Sequence, residues 1–261
     1  MVNKSIFVST VLAFTAVNAF ANDACDEIRI SAHPNYPPFH WEEDGTLTGA
    51  SIETSVNIFE SLDLRVNILF VGPWKRVLSN ARHGAIDFIP ALKKSPERET
   101  YLVFSEEAFS YNPVSVFVRR GEFQNIQSLE ELAGNYGSIN AGDKHGEPVD
   151  GFVGEQPEVQ NIHGIVGNFM MLRQHRIDYF ITGNLVGRDY IQAHNLEDEV
   201  DIALTVDRLE IHNAFTQEFA FKCPHIVASF DEKLRELKSE GKIGQSIVRH
   251  NNRWLAQFSI D

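Results

Sequence analysis

The sequence predicts an α/β chain of two lobes, each a mostly parallel sheet flanked by helices, with two crossings of the chain between them. Three observations carry this. Short apolar strands alternate with amphipathic helices from Ile28 onward, the same alternation restarts after Tyr111-Asn112-Pro113, and the last block is too small to make a third lobe.

In the first lobe Ile28 to Ala32 reads as a strand, and Ile52, Val56, Phe59 and Leu62 recur at helical spacing. Arg65 to Leu69 alternates as a strand with Val66 and Ile68 on one face. Pro73 starts a helix that carries Trp74, Val77, Leu78 and Ala81 down one side, and a strand follows at Asp87 to Leu92. In the second lobe Val114 to Val118 is strand-like, Ser128 with Glu131 forms a capping box, and Gly134 stops that helix before a strand at Tyr136 to Asn140. A helix at about Gly164 to His175, a strand at Ile177 to Ile181 and a helix from about Leu185 complete it.

The final block reads as a strand at Phe219 to Lys222 and a helix capped by Ser229 and Glu232 and bearing Leu234 and Leu237. Docked on the first lobe, it makes that lobe discontinuous. The expected division is 22–112 plus 213–261 for lobe 1 and 113–212 for lobe 2. Two lobes joined by two crossings leave a cleft that can close like a hinge, a common place for a small ligand.

The chain has 261 residues, 23 Lys+Arg, 36 Asp+Glu and a formal net charge of -13. An acidic chain repels phosphate backbones, which argues against nucleic acid as a main partner. Residues 1–21 read as a cleaved secretory signal: Lys4 is the positive start, Ile6 to Val17 the apolar run, and Ala19-Phe20-Ala21 the small-x-small site. The run is shorter than the ~20 residues of a membrane-spanning helix, which argues against an anchor. Asn22-Asp23-Ala24 before Cys25 lacks a lipoprotein pattern. The mature product is expected to be a periplasmic monomer.

Only Cys25 and Cys223 are present, and in an oxidising compartment one disulfide between them is the economical reading. A thiol nucleophile is the rival, disfavoured because no local His-base pattern accompanies Cys223. Such a bridge would bring the end of the chain back to where the mature chain begins.

An ordered set of short motifs resembles the bacterial extracellular solute-binding proteins of family 3, the type II periplasmic binding proteins of polar amino-acid ABC transporters. It comprises Tyr36-Pro37-Pro38-Phe39, Asp44-Gly45, Leu47-Thr48-Gly49, Trp74, Gly84-Ala85-Ile86-Asp87, Glu97-Arg98, Phe104-Ser105 and Ser128-Leu129-Glu130-Glu131-Leu132-Ala133-Gly134. The resemblance implies that Arg98 clamps a ligand carboxylate, a role suited to a planar, permanently charged fork of donors. It implies that Tyr36 and Trp74 hold rings around the ligand. His33 falls where the family reads the ligand's distal end, although a lone His near a strand end also reads as structural. Tyr111 at the first crossing ranks lower.

The turn Ala141-Gly142-Asp143-Lys144-His145-Gly146 stands where the family offers backbone N–H groups and a hydroxyl, which makes Asp143 and Lys144 candidates. Two departures concern the ligand. Family members that bind amino acids carry an acid after the strand corresponding to Ile177 to Ile181, whereas Thr182-Gly183 stands here, so Gly183 marks a missing ammonium partner. The loop Pro90-Ala91-Leu92-Lys93-Lys94-Ser95-Pro96-Glu97-Arg98 has two extra lysines and a proline that cannot donate. Ala91 and Lys93 join the candidates, and a dianion read by Arg98 with Lys93 or Lys94 becomes an option beside an amino acid.

The expected function is a receptor that captures a small carboxylate-bearing ligand by cleft closure for an ABC permease. The alternative is a sensing module for a chemoreceptor or sensor kinase, and a third class is a dehydratase-like enzyme on the same fold. No Gly-x-Ser-x-Gly, His-Glu-x-x-His or phosphate loop supports catalysis, and the ten histidines show no metal-ligand spacing. No cofactor or metal is expected.

Overall fold

The computed structural model describes residues 25–206 and 209–258. The proposed signal peptide, 1–21, lies outside them. Lobe 1 opens with β1 (Glu27–Ile30), a small meander of β2 (Asn35–Tyr36), β3 (His40–Glu43) and β4 (Thr46–Thr48), then α1 (Ala50–Ser61) and β5 (Arg65–Ile68). It continues through α2 (Trp74–Arg82), β6 (Phe88–Leu92), α3 (Pro96–Glu99) and β7 (Leu102–Tyr111). Lobe 2 contains β8 (Val114–Arg119), a 3-10 turn (Leu129–Leu132), β9 (Gly137–Asn140), α4 (Val149–Glu155) and β10 (Val159–Ile162). It ends with α5 (Ile165–Arg173), β11 (Tyr179–Gly183), α6 (Asn184–Ala193) and β12 (Val200–Val206). The chain returns as β13 (Glu210–Thr216), α7 (Gln217–Lys222), α8 (Pro224–Ser239) and α9 (Lys242–Ala256).

The two large sheets have the orders β5-β1-β6-β13-β7 and β10-β9-β11-β8-β12. In each, one strand runs against the other four: β13 is antiparallel to β6 and β7, and β8 is antiparallel to β11 and β12. These are the strands that follow the two crossings. Helical crossovers keep successive strands parallel, whereas a strand entering directly from the other lobe needs no crossover helix and can run in reverse.

The return to lobe 1 has a packing cause. Phe215 of β13 and Phe230 of α8 close on Phe59 of α1 and Phe88 of β6, with ring centroids 4.9 to 6.1 Å apart. All four rings are fully buried, and each contributes on the order of 1.5–3 kcal/mol by leaving water. Cys25 and Cys223 are disulfide-bonded, with Cα atoms 5.8 Å apart, and join the first described residue to the end of α7.

Three sequence expectations need correction. Phe219 to Lys222 belongs to a helix, because the Thr216 hydroxyl accepts a hydrogen bond from the Phe219 N–H and caps α7. The turn buries Phe219 and leaves Phe221 88% exposed, whereas a strand would have put both rings on one face. Next, α8 begins at Pro224, so Ser229 lies inside it and caps nothing. Finally, the boundary drawn at 212/213 falls within β13, whose Glu210 and Ile211 already pair with Tyr111 and Ser110 of lobe 1. The meander and α9 were not read from the sequence. Helix α9 packs on α1 and α8 and also reaches α6 of lobe 2.

Candidate functional site

The ends of β6 and β9, the N-terminus of α2 and the loop after β1 meet where the lobes face each other. The cavity they enclose is lined by His33, Tyr36, His40, Trp74, Ala91, Leu92, Lys93, Arg98, Asp143, Lys144 and His145. Its volume is about 30 Å³, room for a water or two, so admission of an amino-acid-sized molecule requires the lobes to part. On its outer side a groove of about 340 Å³ shares His33 and Trp74 with it.

Arg98 is placed by a local device. Ala91 has φ 46°, a left-handed conformation that costs a residue with a Cβ roughly 1–2 kcal/mol, and its N–H donates to Asn213 Oδ1 at 3.1 Å. The chain turns there and carries Leu92 and Lys93 onto the cavity. Ser95 then caps the short α3, accepting from the Arg98 N–H at 3.3 Å, with Pro96 at the first helical position. The Arg98 side chain is buried, at 3% exposure, and two of its five N–H groups are engaged among the described residues. Nη1 donates to the Lys93 carbonyl at 2.7 Å and Nη2 to the Gly142 carbonyl of lobe 2 at 3.2 Å. Its guanidinium lies 5.4 Å from the Trp74 ring centre.

The Gly142 carbonyl also accepts from Trp74 Nε1 at 3.0 Å, so one lobe 2 oxygen holds two lobe 1 donors. Gly142 has φ +93°, and a Cβ there would approach Trp74 Cδ1 to 3.2 Å and Lys75 Cγ to 3.3 Å. Gly142→Ala is therefore expected to prop the lobes apart and enlarge the radius of gyration in small-angle X-ray scattering. An unchanged radius would mean that Trp74 and Lys75 yield instead.

Tyr36 packs against the cores of both lobes. Its hydroxyl accepts from Asn112 Nδ2 at 2.5 Å, which ties it to the first crossing. His33 lies 5.4 Å from Trp74 and 6.3 Å from Tyr36, centre to centre. Its Nδ1 accepts from the Asn35 N–H, and Nε2 faces Asn140 of lobe 2 at 3.2 Å. Burial, helped by the nearby Arg98 charge, pulls its pKa down to about 3, so the ring is neutral.

Asp143 is the one carboxylate among the described residues lining the cavity. Burial raises its pKa to about 6, against the lowering effects of the Asn140 hydrogen bond and of Arg98. Lys93 behaves in the mirror sense: burial lowers it to about 7 although Asp150 and Glu210 favour its charge. Its Nζ donates at 2.7 Å to the carbonyl of Asn112 and at 2.7 Å to that of Leu209, one on each crossing.

Eight of the nine candidate ligand residues line the cavity: His33, Tyr36, Trp74, Ala91, Lys93, Arg98, Asp143 and Lys144. Gly183 is the exception. It ends β11 against the first crossing, where an added Cβ would come within 2.5 Å of Asn112 Nδ2. Lys94 turns elsewhere, its ammonium 5.9 Å from the Phe104 ring centre. The sequence reading missed His40, Leu92 and His145. His145 had a signal, since it stands in the singled-out turn. It is 4% exposed, and its Nε2 has no hydrogen-bond partner among the described residues. Burial first, then Lys93, Arg98 and Lys144, hold its pKa near 4 against Asp150, leaving a neutral ring with hydrogen-bonding capacity at the cavity. The described residues contain no cluster able to hold a metal ion and no helix long and apolar enough to cross a membrane.

The family model of bacterial extracellular solute-binding proteins, family 3, matches residues 28–256. No curated protein matches the chain. Among solved structures, an amino acid ABC transporter substrate-binding protein from Streptococcus pneumoniae bound to L-arginine superposes with a TM-score of 0.72 at 16% identity, covering 88% of this chain and 96% of that one. An ancestral arginine-binding protein bound to arginine gives 0.70 at 20% identity, covering 88% and 98%. A histidine kinase sensor domain with similarity to periplasmic binding proteins gives 0.73 at 19% identity, covering 89% and 97%. At such identities these likenesses establish the two-lobed fold.

Proposed function

The chain belongs to the bacterial extracellular solute-binding proteins of family 3, and from that premise we propose that it is a periplasmic receptor for a small carboxylate-bearing ligand, an amino acid or a related organic acid. The ligand enters between the parted lobes, its carboxylate takes the remaining N–H groups of Arg98, and closure brings the Gly142 turn over it. An inner-membrane ABC permease then recognises the closed form. The observation that carries this reading is the buried guanidinium of Arg98 at the seam of the two lobes, beside an aromatic wall of Trp74, Tyr36 and His33. Closure follows from ligand only insofar as the ligand binds the closed form better.

The acid absent from the end of β11 has a counterpart on the cavity wall. Where the ligand has an α-ammonium, Asp143 is its partner, and His145 reads the remaining polar group. Lys144 supplies further positive charge at the rim. Lys93 has two of its three donors on the crossings, so it is a weaker anchor for a dianion than Arg98.

Isothermal calorimetry over pH 5–7.5 with L-amino acids and with ammonium-free acids such as succinate separates the two ligand classes. An ammonium on Asp143 lowers that acid's pKa, so binding releases a proton and affinity falls as pH drops through about 6. An ammonium-free anion raises the same pKa, takes up a proton and binds more tightly as pH drops through it. The slope approaches tenfold per pH unit in either case. A flat profile for the tightest binder sinks the role of Asp143, and failure of every acid and amino acid to bind sinks the receptor reading.

A second reading is favoured by the likeness to the kinase sensor domain: the same closure reports to a membrane sensor instead of a permease. Deleting the gene distinguishes them, since a transport receptor is lost as uptake of the ligand and a sensor as a transcriptional response. The export step has its own test, which is N-terminal sequencing of the mature protein. Asn22 is the expected first residue.

A further inference from the structure

A lysine ammonium bridges both crossings at the back of the cavity. Lys93 is 6% exposed, and its Nζ donates to the Asn112 and Leu209 carbonyls, while Leu209 also accepts from the Asn112 N–H at 2.9 Å. The two chain segments that must flex when the lobes part are thus cross-tied to each other and to a side chain on the cavity wall. Two donors are enough for both carbonyls, and an amine keeps two when neutral. The third proton of the ammonium brings a charge that these neutral carbonyls do not balance.

We infer that Lys93 is a positioning residue that couples charge in the cleft to the hinge: its buried positive charge opposes closure, and an anion held beside Arg98 removes that opposition. The inference rests on the reading that the lobes close on an anionic ligand.

The groups facing Lys93 are limited. Arg98 of α3, with Lys144 and His145 of the Gly142 turn, stands on the cavity side, and Asp143 lies in the same turn. Asp150 of α4 and Glu210 of β13 are the acids that favour its charge, and they do not restore it, since burial outweighs them. Tyr36, its phenol held neutral by burial, also lines the cavity, as do His33 and His40, whose rings burial keeps neutral. In the closed form Lys93 titrates near 7, well below its ordinary 10.5. Parting the lobes admits water and moves it back toward that value. The closed form therefore binds fewer protons between pH 7 and 10, and raising the pH through this window favours closure. Asp143, near 6, and His145, near 4, titrate below it.

The test is single-molecule energy transfer between dyes on Glu60→Cys and Glu155→Cys, exposed positions on lobes 1 and 2, in protein stripped of bound molecules. The ratio of closed to open molecules is expected to rise between pH 7 and 9.5 in the parent, by up to about tenfold per pH unit. Lys93→Met should be flat, and Lys93→Arg flat and more open than the parent at pH 9.5. Succinate at pH 7 should raise the closed fraction of the parent more than that of Lys93→Met. A flat parent profile, or the parent's profile retained in Lys93→Met, overturns the inference. If Lys93→Met does not fold, Lys93→Arg decides, and a parent-like pH profile in that variant overturns the inference. One unchanging population at every pH and with succinate, L-arginine and L-glutamine removes the receptor reading as well, whereas two populations that respond to ligand but not to pH remove only the role of Lys93.

Discussion

Arg98→Met should severely weaken binding of whatever carboxylate the wild-type protein takes. Truncating one partner of a buried, hydrogen-bonded charge pair costs about 2–5 kcal/mol, which corresponds to roughly a 30- to several-thousand-fold rise in Kd. The large value follows from burial: Arg98 is 3% exposed, so a carboxylate beside it would be stripped of water and left facing a thioether. Arg98→Lys isolates geometry from charge. A lysine keeps the cation but cannot present two parallel donors, so it should recover only part of the affinity. Loss of the Arg98 donors also strands the Lys93 carbonyl and leaves that of Gly142 with Trp74 Nε1 as its donor, and some stability is expected to go with them. Calorimetry must therefore accompany near-ultraviolet circular dichroism. A folded Arg98→Met protein with an unaltered Kd would mean that the guanidinium is a structural tie between the lobes and no more.

The second large effect is on stability. Cys25 and Cys223 are 198 residues apart in sequence, and their bridge joins the two separated segments that make lobe 1. Closing so long a loop in the unfolded chain gives a stabilisation of about 5 kcal/mol in the loop-entropy treatment. The paired change Cys25→Ser with Cys223→Ser should lower Tm by roughly 10–20 °C, given about 2–4 °C per kcal/mol for a domain of this size. The helices α7 and α8 should become the first targets of limited proteolysis, because the bridge holds their junction to β1. A Tm within a few degrees of the parent would mean that the Phe59, Phe88, Phe215 and Phe230 cluster alone secures the return of the chain.

Much of the molecule was written locally. The strand and helix periods of lobe 1, the Ser128 and Glu131 capping box and the placement of Trp74 after Pro73 all correspond to observed features. Local patterns also misled where two periods fit one short run. Phe219-Ala220-Phe221 satisfies a strand's alternation, yet the Thr216 cap and the i,i+4 pair of Glu218 with Lys222 wind it into a helix. The capping pattern at Ser229 was overridden because Pro224, a favoured first helical residue, starts the helix a turn and a half earlier. Helix α9 escapes a local reading because the face it buries carries Ser246 and His250 beside Ile243, so its burial is not written in apolar residues alone.

The site divides in the same way. The family motifs named Arg98, Tyr36, Trp74 and His33, and those side chains do converge, because each stands at the end of an element whose start and stop the sequence encodes. No pattern in the loop from Pro90 to Arg98 could tell that Lys93 faces the two crossings while Lys94 lies over Phe104. Adjacent residues on a turning segment point in different directions, and the left-handed Ala91 that sets this turn is held by Asn213, 122 residues away. Gly183 was misplaced for a related reason: its position along β11 is local information, but what it abuts, Asn112 of the crossing, belongs to the other end of the lobe. Composition and periodicity determined that this chain makes two α/β lobes with a cleft, and the resemblance of its motifs to the family pointed to an arginine in it. Only the tertiary structure decided which charges meet there, because burial and long-range hydrogen bonds, which no short stretch of sequence contains, set both their partners and their protonation.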